Sequence, residues 1–102
     1  MPRRLIFHPT IAEDIQTACA YYDGKVPGLG GRFKAAFYAR VDQIAAMPQA
    51  CPVRFDDVRT AQLKRFPYLV FHAVELDSVF VLTVQYAGRD PAWLRERASE
   101  RR

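Results

Sequence analysis

Two kinds of periodicity divide this chain. Between residues 11 and 44 the apolar positions recur at steps of three and four, whereas between residues 68 and 86 they run almost unbroken. In the first region Ile11, Ile15, Ala18, Cys19 and Tyr22 fall on one face of a predicted helix, with Glu13, Asp14, Gln16 and Thr17 on the others. Thr10-Ile11-Ala12-Glu13 has the spacing of a capping box at its start, and Asp23-Gly24 predicts its end. After Val26-Pro27-Gly28 a second helix carries Leu29, Phe33, Phe37, Val41 and Ile44 on one stripe and Arg32, Lys34, Arg40 and Asp42 off it, until Pro48 stops it. Two amphipathic helices joined by a short connection predict a helical hairpin.

The rest of the chain reads as strands. Arg4-Leu5-Ile6-Phe7 is a short one, stopped by His8-Pro9. Beyond the turn-rich Gln49-Ala50-Cys51-Pro52, the segment Val58 to Arg65 has the weak alternation and charged ends of a half-exposed strand. Tyr68 to Val74 and Val79 to Tyr86 are far more apolar, with Glu75-Leu76-Asp77-Ser78 as the hairpin turn between them. Both of these strands are apolar at both parities, so both faces of the sheet need a cover. The helical hairpin supplies one; the other falls to a terminal helix or to another protein.

Length and charge narrow the class. The chain has 102 residues, half of them hydrophobic, enough for one small core and one domain spanning 1–102. The net charge is +4, and twelve of the fifteen basic residues are arginine, leaving only Lys25, Lys34 and Lys64. Arginine's planar fork suits phosphate and carboxylate, which favours an anionic partner, although a GC-rich genome enriches arginine equally well. Residues 59–102 hold eight basic and five acidic groups against seven and six in residues 1–58, so the excess lies in the second half. Cys19 and Cys51 show neither a disulfide framework nor a zinc spacing, and His8 and His72 stand far apart, so no metal is expected. No cofactor motif occurs, and no apolar run is long enough to span a bilayer, which predicts a soluble cytoplasmic protein.

Several local features then occur in one order. They are Phe7-His8-Pro9, Ala12-Glu13-Asp14-Ile15, Tyr21-Tyr22, Pro27-Gly28-Leu29-Gly30, Arg32-Phe33, Met47-Pro48, Arg65-Phe66-Pro67-Tyr68, and Arg89-Asp90-Pro91 followed by Trp93 and Arg97. In this order and at this length the chain resembles the RelE/ParE toxin superfamily. The resemblance implies an α+β fold, β-α-α-β-β-β with a short C-terminal helix, in which the helical hairpin packs on one face of an antiparallel sheet. It also implies the toxin of a type II toxin-antitoxin pair, a growth inhibitor of the plasmid-stabilisation kind. A cognate antitoxin would cover it in a hetero-oligomer, through an acidic and apolar segment that folds as it binds.

The resemblance offers two targets. RelE-like members act as ribosome-dependent mRNA endoribonucleases, which need a base, an acid and a cation around the scissile phosphate. In those branches an arginine sits near the start of the third sheet strand and a histidine or tyrosine near the end of the fourth. Here Tyr68 stands in the first place and Ala87-Gly88 in the second. That departure, with Arg65-Phe66-Pro67-Tyr68, favours the ParE-like branch, which binds and inhibits DNA gyrase. A member that only binds its antitoxin is the third reading.

The candidate binding set is Arg59, Lys64, Arg65, Tyr68, Arg89 and Trp93; should the chain be a nuclease, the catalytic candidates are Arg59, Lys64, Arg89 and Tyr86. Each has a structural alternative. The arginines can bond Asp56, Asp57 or Asp90, Arg89 can pair with a neighbouring carboxylate, and Trp93 can anchor the terminal helix. Asp90 can cap that helix with Pro91 in its first turn, His72 reads as a hydrogen-bonded core histidine, and Arg101-Arg102 as a frayed tail.

Overall fold

A computed structural model describes residues 2–102. In chain order the elements are β1 (Arg4–Phe7), α1 (Ile11–Lys25), α2 (Leu29–Ala46), a 3-10 turn (Pro48–Ala50), β2 (Val53–Phe55), β3 (Val58–Gln62), β4 (Tyr68–Val74), β5 (Ser78–Tyr86) and α3 (Pro91–Arg101). The strands form one sheet ordered β1-β5-β4-β3-β2. The most apolar runs, β4 and β5, therefore lie at or next to its centre, where both faces are covered.

The sheet is mixed, which corrects the all-antiparallel expectation. β2 to β5 meander antiparallel, but β1 pairs parallel with β5, Leu5 opposite Val79 and Phe7 opposite Val81. A parallel neighbour needs a long crossover, and the helical hairpin between β1 and β2 provides it. The strand β2 is absent from the sequence reading because three residues carry no periodicity. It is joined to β3 by the two-residue turn Asp56-Asp57, with Asp56 at φ 48°. The strand expected to reach Arg65 ends at Gln62, and Arg65 sits in the left-handed region at φ 71°.

The helical hairpin covers one face. Phe33, Phe37, Val41 and Ile44 of α2 are at most 1% exposed and pack with Ile11, Ile15 and Ala18 of α1 over Val70, Val79, Val81 and Val84. Each buried Phe, Ile or Val side chain contributes roughly 1.5–3 kcal/mol. The helices approach closely at Gly30, where a Cβ would stand 2.5 Å from the Cys19 carbonyl oxygen. The Gly30 amide also donates to Asp23 Oδ1 at 2.8 Å, so α1 continues past Asp23-Gly24 to Lys25. The expected capping box does not form. Thr10 Oγ1 instead meets His8 Nδ1 at 2.9 Å, and no side chain caps α1.

The opposite face is covered by α3. Leu94 and Ala98 are buried on Val58, Leu69, Phe71 and Leu82, with Trp93 half-buried beside them. Asp90 Oδ1 accepts the Ala92 amide with Pro91 in the first turn, as the sequence predicts. The frayed-tail expectation for Arg101-Arg102 is wrong. Arg101 forms an ion pair with Asp14 of α1 and donates to the Leu82 carbonyl at 3.2 Å. Arg102 reaches Asp57 Oδ2 and Glu75 Oε1, each at 2.8 Å. Tail residues look free in a sequence because their partners lie dozens of positions away.

Candidate functional site

The end of the sheet where β4 begins and β5 finishes gathers the rings of Tyr22, Phe33, Phe66, Tyr68, Tyr86 and Trp93 and the guanidinium groups of Arg89 and Arg97. Tyr68 and Tyr86 are cross-strand partners with ring centroids 6.0 Å apart. Behind them Tyr68 packs edge-on to Phe33 at 4.9 Å, and Tyr22 edge-on to Phe66 at 4.9 Å. These rings form one wall in which the offset and T-shaped geometries favoured by aromatic quadrupoles predominate. Tyr68 is half-buried in it, and Tyr86 stands exposed at its rim.

A cleft of about 240 Å³ opens in front of the wall, between α1, the end of β5 and α3. It exists because β1 pairs only with Ser78 to Val81, leaving the second half of β5 without a strand neighbour on that side. Polar side chains fill the gap instead. Thr83 Oγ1 donates to Asp14 Oδ2 at 2.7 Å, Gln85 Nε2 donates to Thr83 Oγ1 at 2.9 Å, and Arg101 closes the chain on Asp14. A one-residue bulge at Leu82, between Val81 opposite His72 and Thr83 opposite Phe71, resets the alternation of β5 here.

On the far wall of the cleft Arg89, Trp93 and Arg97 follow at helical spacing. The Arg89 guanidinium carbon lies 3.9 Å from the Trp93 ring centroid and that of Arg97 4.7 Å. Arg89 therefore stacks on an aromatic face rather than pairing with a carboxylate. Stacking leaves the edge of a guanidinium, where its N–H donors are, directed outward. Gly88 in the preceding turn has no room for a side chain, because a Cβ there would collide with the Tyr86 ring.

Of the sequence candidates, Tyr68, Tyr86, Arg89 and Trp93 meet in this cleft. Lys64 and Arg65 lie behind the aromatic wall, on a separate groove beside α2. Arg59 belongs to neither: its Nη1 donates to the Cys51 carbonyl at 2.6 Å, tying β3 to the turn after α2. Asp14, Gln85 and Arg97 are additional cleft residues. The spacing of four from Arg89 through Trp93 to Arg97 was a signal for the last; nothing local marks Asp14.

The cleft suits recognition of an anion or a planar group. Its carboxylate, Asp14, is engaged by Arg101 and Thr83, and burial beside Tyr22 pushes the Tyr68 hydroxyl pKa up, so it stays protonated at neutral pH. His72 lies elsewhere, fully buried on the hairpin side with Nδ1 3.4 Å from the Val70 carbonyl. Burial drives its pKa down to about 4. Among the described residues, no three His, Cys, Asp or Glu side chains come together to hold a metal, and no helix is long and apolar enough to cross a membrane.

No protein-family model and no curated protein matches the chain. Solved structures do. A chain of the chromosomal ParDE TA system from P. aeruginosa superposes with TM-score 0.73 at 17% identity, over 82% of this chain and 95% of that one. The E. coli toxin RelE, solved in the free state as a double arginine-to-alanine mutant, superposes with TM-score 0.69 at 16% identity, over 99% of this chain and 98% of that one. The fold is that of the RelE/ParE toxins.

Proposed function

We propose that this chain is the toxin of a type II toxin-antitoxin pair, a growth inhibitor held silent by a cognate antitoxin in a hetero-oligomer, and that it acts by binding DNA gyrase. The observation that carries the toxin reading is the likeness of fold to the toxin RelE over 99% of this chain and to the chromosomal ParDE chain over 82% of it. The cleft supports binding as the mode of action. Arg89, Arg97, Trp93 and Tyr86 offer donors and aromatic surface to a partner, while the site's carboxylate is already paired and its half-buried tyrosine is held protonated.

A supercoiling assay with purified gyrase tests this reading. Inhibition by the chain, relieved when the antitoxin is added, is the expected result. Intact supercoiling together with codon-phased mRNA cuts, seen by primer extension within minutes of induction, would replace gyrase with the ribosome. Arg89 and Tyr86 would then become the residues to test for catalysis. Absence of growth arrest on expression would remove the toxin reading.

A further inference from the structure

The two edges of the sheet are built differently. At one edge β2 is only three residues long, its register shifts between Val53 and Phe55, and the exposed Arg54 interrupts it. Short length, a bulge and an edge charge are ordinary means by which a sheet blunts its open hydrogen-bonding groups. At the other edge β1 pairs with β5 in unbroken register and carries Leu5, Ile6 and Phe7 in succession. Ile6 is 40% exposed and Phe7 37%, and Tyr38 of α2, whose ring meets that of Phe7 edge-on, is 44% exposed.

Hydrogen bonds fix which groups of β1 are open. The Arg4 amide donates to the Asp77 carbonyl at 3.2 Å and the His8 amide to the Val81 carbonyl at 2.9 Å. Parallel pairing engages alternate residues, so Arg4, Ile6 and His8 turn their backbone groups toward β5, and the N–H and C=O of Leu5 and Phe7 point out of the sheet. The open stretch is bounded at both ends. Before it the Arg3 amide is taken by the Ala45 carbonyl at 2.9 Å, and after it Pro9 has no N–H to offer. What is left, Arg4 to His8, is centred on Ile6.

We infer that β1 pairs antiparallel with β1 of a second copy of this chain about a two-fold axis at Ile6, joining the two five-stranded sheets edge to edge. In that register Leu5 and Phe7 of the second copy stand opposite each other and exchange N–H and C=O, and Phe7 does the same with Leu5, so every outward group of both strands is paired. Sliding by one residue would oppose side chains of different faces. Sliding by two would oppose Phe7 to Arg3 or Leu5 to Pro9, whose amides are engaged or absent. On the α3 face Ile6 meets its own copy beside Phe80, and on the hairpin face Phe7 and Tyr38 close over Leu5 of the second copy.

Charge favours the same occupant. Between Leu5 and Phe7 there is no charge for an acidic or basic strand to recognise, and antiparallel pairing holds the Arg3-Arg4 ends of two copies apart, whereas parallel pairing would stack them. The contact is isologous, so it uses each β1 edge once and stops at a dimer. It leaves the cleft of Tyr86 and Arg89, at the far end of β5, open. This pairing is independent of the toxin reading.

Light scattering of the purified chain is expected to show its mass doubling as concentration rises, with no larger species. Ile6→Lys places two like charges on the axis and is expected to stay monomeric with unchanged circular dichroism, since the position is exposed. Leu76→Lys, which removes a more exposed apolar residue in the β4–β5 turn, should dimerise as the wild type does. Ile6→Cys reads the register directly. Opposed residues of a non-hydrogen-bonded pair have Cα atoms about 4.5 Å apart, within disulfide reach, so mild oxidation should give a covalent dimer. Arg4→Cys and the wild type, with Cys19 and Cys51 alone, should give none. A chain that is monomeric at every concentration, a dimer that Ile6→Lys leaves intact, or a dimer in which Ile6→Cys fails to cross-link would overturn the pairing. So would hydrogen-exchange protection of residues 5–7 that appears only when another protein is bound, which would give the edge to that protein.

Discussion

The two faces of the sheet are covered in opposite ways. On one side two helices of 15 and 18 residues bury an aromatic and aliphatic layer; on the other an 11-residue helix buries only Leu94 and Ala98 fully and is tied down at its end by Arg101 and Arg102. Apolar burial is the larger and less conditional term, so the hairpin side sets global stability. The α3 side is the more easily loosened. The cleft lies at the seam between these regimes, with Ala18 and Val84 from the firm side and Trp93 and Arg97 from the lighter one.

The strongest way to break this contrast is to cut equivalent volume from each side. Phe37→Ala, at a position with no exposure, is expected to lose about 4 kcal/mol in urea denaturation. Leu94→Ala is expected to lose about 2 kcal/mol, because a helix covering an open face can settle or admit water. It should also speed hydrogen exchange in residues 91–101 before the rest. Equal losses with uniform exchange would mean that the two faces fold as one unit.

The hairpin side also carries the chain's pH response. His72 has its folded pKa lowered to about 4 from 6.5 by burial, so the neutral form is the folded form. Stability is therefore complete above pH 6.5, falls as the unfolded chain takes up a proton, and levels off below about pH 4. The loss accumulates to about 3 kcal/mol across that window. His72→Leu should flatten this part of the profile, measured as urea midpoint against pH. A wild-type profile already flat from pH 6.5 to 4 would contradict burial as the cause. On the opposite side, Asp14→Asn leaves Arg101 with a weaker partner at the seam and is expected to lose about 2 kcal/mol in the same assay. Trp93 fluorescence should then shift as α3 loosens. An unchanged denaturation midpoint would mean that Leu94 and Ala98 hold α3 alone.

The same contrast explains what could be read from the chain. The stripe Phe33, Phe37, Val41 and Ile44 was legible because helical burial is written in a local period, and the two-faced apolar character of β4 and β5 called for a second cover, though not for α3 rather than another protein. Asp90-Pro91 was legible because a cap is a local device. The parallel pairing of β1, the three-residue β2 and the Asp14–Arg101 pair were not, since each depends on which distant segment becomes a neighbour. Tyr68, Tyr86, Arg89 and Trp93, which line one cleft, could be singled out by residue type. Their separation from Lys64 and Arg65 by an aromatic wall, and the use of Arg59 as a tie to the Cys51 carbonyl, required the fold.

The smallest expected effect sharpens the comparison most, because it concerns how ion pairs hold α3. Arg102 spans Asp57 in the β2–β3 turn and Glu75 in the β4–β5 turn, but its side chain is 31% exposed and those of its partners 58% and 42%. Charges so open to water are screened, and losing them costs about 0.5 kcal/mol. Arg102→Ala should therefore move the melting temperature by about 3 °C or less, and added salt should have the same effect on the wild type. Locally the change should be plain: amides in the last turn of α3 exchange faster while those near Leu94 do not. A fall of ten degrees or more would mean that the end of α3 is held by its charges as firmly as the hairpin is by its apolar layer, and the division of the molecule into a firm side and a light one would have to be given up.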